Sequence, residues 1–445
     1  MSTTLIRNGT LITMNPLGEV LQGDILIEDG IIAELPTTTR HADNVIDAQN
    51  MLVLPGFVQV HVHLNQTLFR GLADDMDVVD WLRLRIWPLE RAHNYNSLYA
   101  AARLSIAELI RGGTTTAFTM ETLNFTEAAF RAAEEMGFRA IIGNAMMDRW
   151  EVGTEMVGED TQTALEKSLS LYERYHNTAG GRLQYAFCPR GTRNASDELW
   201  LAVARLAKER NVLIHTHAAE NKGQTERLEQ YGGREVHYLN SMGVVGANLV
   251  LAHCVWLTPE EQALLANNGA HIAHCPSANL KLASGIAQIP EMMDKGINIA
   301  LGADGAPCNN NLDAFTEMRL AALIHKPRHG PKAMPAERVL EMATLGGARA
   351  IGLESQIGSL ESGKKADITL IRRKRIHAWP QVGINPYAEI VYGHHQEDVD
   401  TVLIDGVVVL QAGRPLNYDV DEILDDTERE ITSLLQRAKG FGLAL

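Results

Sequence analysis

The middle of the sequence alternates short apolar runs with amphipathic helical stretches, and this alternation constrains the fold more than any other feature. Between the runs, Thr258 and Glu261 have the spacing of a capping box, and Ser196 precedes another helical pattern. Strands that alternate with helices pair in parallel, and eight such units predict an α/β fold with a (β/α)8 barrel. The predicted strands are residues 57–63, 114–120, 138–145, 183–190, 212–218, 249–255, 270–275 and 298–304.

The two ends of the chain follow a different pattern, in which apolar and polar residues alternate on either side of a tight turn. Asp29-Gly30 and Asp405-Gly406 each separate two such runs, and an Asp-Gly pair suits a hairpin turn that needs positive φ. Because both ends share this design, we expect them to meet. The sequence therefore predicts a composite β-sandwich domain from residues 1–56 together with 362–445, and a TIM-like barrel from residues 57–361.

Composition excludes several classes of protein. Hydrophobic residues make up 45% and charged residues 21% of the 445 residues, as in globular proteins. The formal net charge of −15 argues against nucleic acid as a partner, because phosphate binding needs clustered lysine and arginine. No apolar run approaches the ~20 residues of a membrane span, and the N-terminus lacks a signal-peptide layout. Four cysteines without regular spacing do not form a disulfide framework. We expect a cytoplasmic protein without a membrane partner.

Residues that can bind a metal gather at the ends of the predicted barrel strands. The first run ends in two histidines two positions apart, three later runs each carry one near their ends, and the eighth ends in an aspartate. These residues are His61, His63, His217, His253, His274 and Asp304, and Glu220 follows His217 by three positions. Since the active residues of a (β/α)8 barrel lie at the C-terminal ends of its strands, we expect these side chains to meet at one face.

The His-x-His pair of the first run can reach a single cation, because side chains at positions i and i+2 of a strand point the same way. A third histidine and a carboxylate would complete a site suited to Zn²⁺ or Fe²⁺. Each of these candidate residues, taken alone, could also have a purely structural role. One His-x-His pair is weak evidence, Asp304 could merely cap a helix, and His215, which forms a second such pair with His217, is interpreted as structural. The joint placement at strand ends favours the metal site.

Five motifs together resemble those of the amidohydrolase superfamily: PGFVQVHVHLNQTLFRG, HAAE, LAHC, HCPSANLKLASG and LGADGAPCNNNLD. They resemble in particular the branch of atrazine chlorohydrolase, melamine deaminase, guanine and 8-oxoguanine deaminases, and S-adenosylhomocysteine/methylthioadenosine deaminase. The resemblance implies one divalent metal per chain, usually zinc and sometimes iron. The implied ligands are His61, His63, His217 and Asp304. It also implies that Glu220 shuttles protons, that His253 orients the hydrolytic water and that Asp304 accepts the proton of that water.

The implied reaction is the hydrolytic deamination of an aminated nitrogen heterocycle, whether purine, pyrimidine, pterin or s-triazine, with release of ammonia. Removal of chloride or alkylamine from a triazine is one alternative, and deamination of a nucleoside is another. A non-catalytic scaffold is disfavoured because every proposed ligand and catalytic residue is present. The resemblance alone suggests a homo-oligomer.

Candidates for substrate binding come from several segments. Glu90 and Trp81 lie in DWLRLRIWPLERA, which resembles a segment of nucleoside deaminases whose glutamate holds a ribose. Arg190 stands where those enzymes carry histidine, so Arg190 and Arg193 could instead contact a carboxylate, a phosphate or a ring oxygen. The remaining candidates are Gln66, Glu121 and His274.

Overall fold

A computed structural model describes residues 2–39, 41–149, 158–222, 228 and 234–443. The strands in these ranges are numbered in chain order. They are β1 Thr3–Ile12, β2 Val20–Glu28, β3 Ile31–Glu34, β4 Asn44–Asp47, β5 Met51–Pro55, β6 Phe57–His63, β7 Thr114–Met120, β8 Arg139–Gly143, β9 Ala145–Met146, β10 Leu183–Tyr185, β11 Cys188–Pro189, β12 Ile214–Ala218, β13 Leu249–His253, β14 His271–His274, β15 Asn298–Leu301, β16 Asp304–Gly305, β17 Ile368–Arg372, β18 Val399–Ile404, β19 Val407–Gln411 and β20 Arg414–Pro415.

The α-helices in the same ranges are numbered likewise. They are α1 Val78–Trp81, α2 Trp87–Arg91, α3 Tyr95–Arg111, α4 Thr126–Glu135, α5 Thr161–Tyr175, α6 Asp197–Arg210, α7 Glu235–Ser241, α8 Pro259–Asn267, α9 Pro276–Lys281, α10 Ile289–Asp294, α11 Ala306–Asn309, α12 Ala314–Leu323, α13 Lys326–His329, α14 Ala336–Ala343, α15 Leu345–Ala350, α16 Pro386–Ala388 and α17 Val420–Ala438. Short 3₁₀ or π turns cover Leu64–Phe69, Leu82–Ile86, Ala179–Gly181, Ile376–Ala378, Glu389–Gly393, Gln396–Asp398 and Lys439–Phe441.

The strands of the middle of the chain form one parallel sheet, in the order β10-β8-β7-β6-β15-β14-β13-β12. A parallel bridge between Phe187, which follows β10, and Ile214 of β12 joins the two ends of this order, so the sheet closes on itself. Thr258 and Ser196 cap α8 and α6 as their sequence patterns predict. The predicted α/β class is confirmed, and each of the predicted runs contains a strand of this sheet.

Three of the predicted runs, 138–145, 183–190 and 298–304, are each divided between two strands, and the last of them ends in β16, which pairs with β6. β9 follows β8, β11 follows β10, and β9 and β11 pair with each other outside the barrel order. At Gly143 a β-carbon would lie 2.3 Å from the carbonyl oxygen of Ala186 and 2.3 Å from Cys188 Sγ. The two backbones approach so closely there that only glycine fits. This small ladder leads the chain directly to Arg190.

A second sheet joins the two ends of the chain, in the order β20-β19-β18-β17-β5-β1-β2-β3, with β4 beside β1. β2 and β3 form the hairpin at Asp29-Gly30, and β18 and β19 form the one at Asp405-Gly406. β5 from the N-terminal part pairs with β17 from the C-terminal part, with Leu54 opposite Thr369. The sandwich form of a separate terminal domain and its boundaries after residues 56 and 361 stay predictions.

A buried ion pair connects the two sheets. Arg139 of β8 donates from Nε and Nη2 to the carboxylate of Asp367 at 2.8 and 3.0 Å, and Nη2 also donates to Asp405. The side chains of Arg139 and Asp367 are 1% and 2% exposed. Because removing one partner of a buried pair typically costs about 3–5 kcal/mol, this contact holds the terminal sheet against the barrel.

The cysteines and the helices concern two expectations from composition, one about disulfide bonds and one about membrane spans. Cys188, Cys254, Cys275 and Cys308 are all buried and carry free thiols. In the part of the chain that the structure describes, no helix combines the length and the apolar character that crossing a membrane requires.

Candidate metal centre and active site

His63 of β6 and His217 of β12 point their rings at a common centre. Their Nδ1 atoms each lie 2.6 Å from a backbone carbonyl oxygen, that of Met120 for His63 and that of Arg190 for His217. A carbonyl only accepts hydrogen bonds, so each Nδ1 carries the proton that it donates, and each ring in its neutral form has its lone pair on Nε2. The two Nε2 atoms are 3.4 Å apart.

Asp304 of β16 brings a carboxylate to the same centre. Its Oδ1 lies 3.3 Å from Nε2 of His61 and 3.3 Å from Nε2 of His63. Burial alone would raise the pKa of Asp304, but the neighbouring histidines, His61 foremost, hold it well below its usual value. Burial would likewise lower the pKa of His63, yet the contact with Asp304 outweighs burial and raises it. The centre therefore attracts positive charge, whether a proton or a metal cation.

His61 shows that the donor set fits a metal. Its Nε2 is fully enclosed and forms no well-aligned hydrogen bond with a described residue, although Asp304 Oδ1 lies 3.3 Å away. A buried polar atom in that position is costly unless a further partner satisfies it. The ligand atoms of His61, His63 and His217 lie within 4.8 Å of one another, and so do those of His61, His253 and Asp304. Imidazole nitrogens with one carboxylate form the donor set of a divalent metal such as Zn²⁺ or Fe²⁺.

A cavity opens over this centre and brings several of the predicted residues together. His63, His217, His253 and Asp304 line it together with Trp81, Arg190, Arg193, Glu220 and Glu235. The cavity wall thus combines the candidate ligands with one aromatic ring, two guanidinium groups and two carboxyl groups. These groups can bind a polar ring and move protons beside a metal.

Glu220 is the carboxyl group nearest in sequence to a candidate ligand, three positions after His217. It is buried, and burial raises its pKa, so the side chain can hold a proton closer to neutral pH than an exposed glutamate. Glu235, which the sequence analysis did not single out, accepts hydrogen bonds from the Ala219 amide and, at 2.7 Å, from Thr192 Oγ1. Glu235 therefore anchors the turn that carries Glu220.

His253, at the end of β13, lies on another side of the Asp304 carboxylate. Its Nε2 is 3.8 Å from Asp304 Oδ2, and its Nδ1 is 2.9 Å from Asn279 Oδ1. With Nδ1 donating to the amide oxygen, Nε2 keeps a lone pair that can accept a hydrogen bond from water. Asn279 was not predicted as a site residue, although it lies inside the motif HCPSANLKLASG.

Arg190 forms a buried ion pair with Glu90 of α2. Its Nη1 lies 2.6 Å from Glu90 Oε2 and its Nη2 lies 3.3 Å from Oε1, while Gln66 Nε2 donates to the same Oε1 at 2.8 Å. The side chains of Arg190 and Glu90 are each 6% exposed. Arg190 lines the cavity over the metal centre, whereas Glu90 lines a neighbouring cavity. The ion pair therefore lies between the two cavities.

Two further candidates, Glu121 and His274, are buried residues of the barrel. Glu121 accepts hydrogen bonds from the amides of Leu64 at 3.3 Å and Asn65 at 2.9 Å, so it holds the turn that follows His63. Burial raises the pKa of Glu121 to about 7. The ring of His274 lies 6.0 Å from that of His325. Among the described residues that line the cavity, neither Glu121 nor His274 is found.

The comparison with known proteins defines the class of the molecule. A family model described as the amidohydrolase family matches residues 52–409. This chain belongs to the amidohydrolase family, which confirms the resemblance inferred from its motifs.

Three similar proteins cover nearly the whole chain. A 5′-deoxyadenosine deaminase of Methanosarcina mazei is 35% identical over 441 residues, 98% of this chain and 99% of that relative. A crystal structure of a zinc-bound adenosine deaminase from Xanthomonas campestris has 28% identity and a TM-score of 0.91, covering 98% of this chain and 99% of its own. An atrazine chlorohydrolase from Arthrobacter aurescens, complexed with zinc, has 26% identity and a TM-score of 0.89, covering 96% of this chain and 100% of its own.

Proposed function

We propose that this protein is a metal-dependent hydrolytic deaminase, which replaces the amino group of a nitrogen heterocycle with oxygen and releases ammonia. The observation that carries the proposal is the convergence of imidazoles and the Asp304 carboxylate beside a cavity whose wall holds the buried Glu220. Similarity to a 5′-deoxyadenosine deaminase and to an adenosine deaminase supports this class of reaction.

The metal belongs at the centre between the β6 histidines and β16. The residues that would hold it are His61, His63, His217 and Asp304. When bound, a divalent cation supplies Lewis acidity and a water that is activated at neutral pH. We assign zinc first, because two similar structures contain it, and iron second, because the donor set suits both ions.

The protein's own groups then move the protons of the reaction. Asp304 accepts the proton of the attacking water. Glu220, whose pKa is raised by burial, gives its proton to the ring nitrogen next to the attacked carbon. It then takes the proton of the new hydroxyl group as the carbonyl forms and gives that proton to the departing amine. The proton held by Asp304 finally returns Glu220 to its protonated state. His253, held by Asn279, accepts a hydrogen bond from the water and directs it towards the ring.

The ion pair of Arg190 and Glu90 favours a ring that lacks a ribose as the first substrate class. Glu90 already accepts hydrogen bonds from Arg190 and Gln66, and a buried charge that loses its partner is destabilised, so Glu90 is poorly available to a ribose diol. Arg190 lies at the cavity wall with Arg193 and Trp81, where guanidinium groups suit a ring oxygen and the indole suits a ring face. The second class is an adenine nucleoside, which the 35% identity to the 5′-deoxyadenosine deaminase favours.

The test measures ammonia release by the zinc-loaded protein, with a chelator-treated control. One panel contains free rings: guanine, 8-oxoguanine, isocytosine, pterins and melamine. A second panel contains adenosine, 5′-deoxyadenosine and S-adenosylhomocysteine. Release from a free ring supports the first class. Release from nucleosides alone would return Glu90 to the role of ribose ligand.

Silence in both panels, with zinc bound, would overturn deamination. The alternative would then be removal of chloride or alkylamine from a triazine, the reaction type suggested by similarity to the atrazine chlorohydrolase. The homo-oligomer expected from the resemblance stays a prediction, which light scattering during size-exclusion chromatography tests.

A further inference from the structure

The second His-x-His pair, in β12, gives only His217 to the metal centre. His215 is fully buried inside the barrel, with its ring 4.5 Å from the ring of Phe118. Its Nε2 lies 2.7 Å from Nδ1 of His61, and its Nδ1 lies 3.1 Å from the carbonyl oxygen of Val250 in β13. His215 therefore connects a candidate metal ligand to the backbone of a neighbouring strand.

The acceptor at the end of this chain of contacts fixes the direction of both hydrogen bonds. The Val250 carbonyl can only accept, so Nδ1 of His215 carries the proton that it donates. A neutral His215 then has its lone pair on Nε2, which accepts the Nδ1 proton of His61. His61 is left with its lone pair on Nε2, the atom that faces Asp304 Oδ1 at 3.3 Å.

We propose that His215 is a positioning residue that fixes the tautomer and the ring orientation of His61 as a metal ligand. His63 and His217 obtain the same effect from backbone carbonyl groups. His61 instead has a side-chain nitrogen within reach of its Nδ1, so this ligand depends on a replaceable residue. Loss of such a partner typically weakens metal binding by roughly 10–100-fold.

The test measures the zinc affinity of metal-free protein by competition with a chromophoric chelator. His215→Phe and His215→Leu keep an apolar side chain in the space but cannot accept a hydrogen bond, whereas the side-chain oxygen of His215→Gln can. We expect the Kd for zinc to rise roughly 10–100-fold in the Phe and Leu variants. The Gln variant should stay within about threefold of the unaltered chain, because its oxygen replaces the acceptor.

Matched controls separate this role from packing. The melting temperature of each metal-free variant reports on packing alone, and His325→Phe, at a buried histidine outside the ligand set, should leave the zinc affinity unchanged. Unchanged affinity in the Phe and Leu variants would overturn the proposal. An equal loss of zinc affinity in the Gln variant would overturn it too, because the shape of the histidine ring, and not its hydrogen-bond acceptor, would then determine the affinity. If one apolar variant does not fold, the other carries the measurement.

The inference rests on the metal site of the proposed function, so zinc binding by the unaltered chain is measured first. If the unaltered chain binds no zinc, the proposed metal site and the role of His215 both fail. If it binds zinc and the Phe and Leu variants bind it equally well, only the role of His215 fails.

Discussion

Two clusters of histidine and aspartate in this protein look alike in composition and differ in chemistry. The metal cluster, named for the site proposed above, consists of His61, His63, His217 and Asp304. The salt-bridge cluster consists of His377, His394 and Asp398. Candidate ligand atoms approach within 4.8 Å of one another in both regions. The difference lies in what surrounds each imidazole.

In the salt-bridge cluster the buried histidine lies between two carboxylates. His394 places Nδ1 3.0 Å from Asp398 and Nε2 3.3 Å from Glu389, and Arg375 and Arg373 pair with the same two carboxylates. Burial alone would lower the pKa of His394, but its hydrogen bonds to Asp398 and Glu389 outweigh burial and raise it. A protonated ring that donates from both nitrogens has no lone pair for a metal.

In the metal cluster the histidines donate from Nδ1 to neutral acceptors, and one carboxylate, that of Asp304, lies 3.3 Å from Nε2 of both His61 and His63. Burial lowers the pKa of His61 to about 4 and holds that of His217 well below its usual value. The rings of His61 and His217 are therefore neutral and present lone pairs to one centre, whereas the contact with Asp304 raises the pKa of His63. The Nδ1 of His63 still donates to a neutral carbonyl group, so the proton that a metal would displace lies on Nε2. The acceptor on the far side of each ring, rather than the residue types, therefore separates the proposed ligand set from an ion-pair network.

The largest expected effect, on metal content and activity, comes from substituting one histidine in the metal cluster and comparing it with a substitution in the salt-bridge cluster. His63→Ala should lose bound metal and lower kcat/KM by about 10³-fold or more, since metal assistance is worth several kcal/mol. His394→Gln should keep one metal per chain. Elemental analysis of the purified variants and ammonia release measure both effects. Metal lost from His394→Gln and kept by His63→Ala would reverse the two assignments.

The next effect concerns proton transfer beside the metal cluster. Glu220→Gln removes the carboxyl proton while keeping the shape, so we expect full metal content and a loss of kcat of roughly 10²–10⁴-fold. Glu198→Gln, at an exposed position of α6, is the matched control and should keep its activity. Unaltered turnover by Glu220→Gln would remove this residue from the mechanism.

Much of the metal cluster could be predicted from sequence, because its signals are local. The alternation in β6 sets His61 and His63 on one side of a strand, and parallel strands bring their C-terminal ends to one face. The same rule brought His217 and Asp304 to that face. Strand ends and motif spacing were sufficient for these residues because the end of its own strand already places each of them at that face.

The remaining features depend on contacts across the barrel, which spacing does not encode. The alternation of residues along a strand predicts which face a side chain is on, but not how deep in the barrel it lies. The contact between His215 and His61, which are 154 residues apart, could therefore not be predicted. The ion pair between Arg190 and Glu90 joins residues 100 positions apart. His274 follows the strand-end rule, yet it is not among the described residues that line the cavity.

A smaller effect should follow from the hydrogen bond that orients His253. Asn279→Ala removes the acceptor of its Nδ1 proton, so the ring loses one preferred orientation. We expect kcat to fall about tenfold, the equivalent of one net hydrogen bond, with KM and metal content little changed. Steady-state kinetics with Asn268→Ala, at an exposed site, as the control test this expectation. A change in KM alone would instead place Asn279 in substrate binding.

The smallest effect on activity, and the sharpest on stability, belongs to the salt-bridge cluster. Because the pKa of His394 is raised above 6.5 in the folded protein, its charge stabilises the fold fully below about pH 6.5, and this contribution is lost as pH rises through the raised pKa. His394→Gln should therefore lower the free energy of unfolding by about 2 kcal/mol at pH 6 and by less at pH 9. Denaturant titrations at both pH values measure the difference, with the exposed His395→Gln as control. A loss of equal size at both pH values would mean that His394 is neutral, and the contrast between the two clusters would then rest on geometry alone.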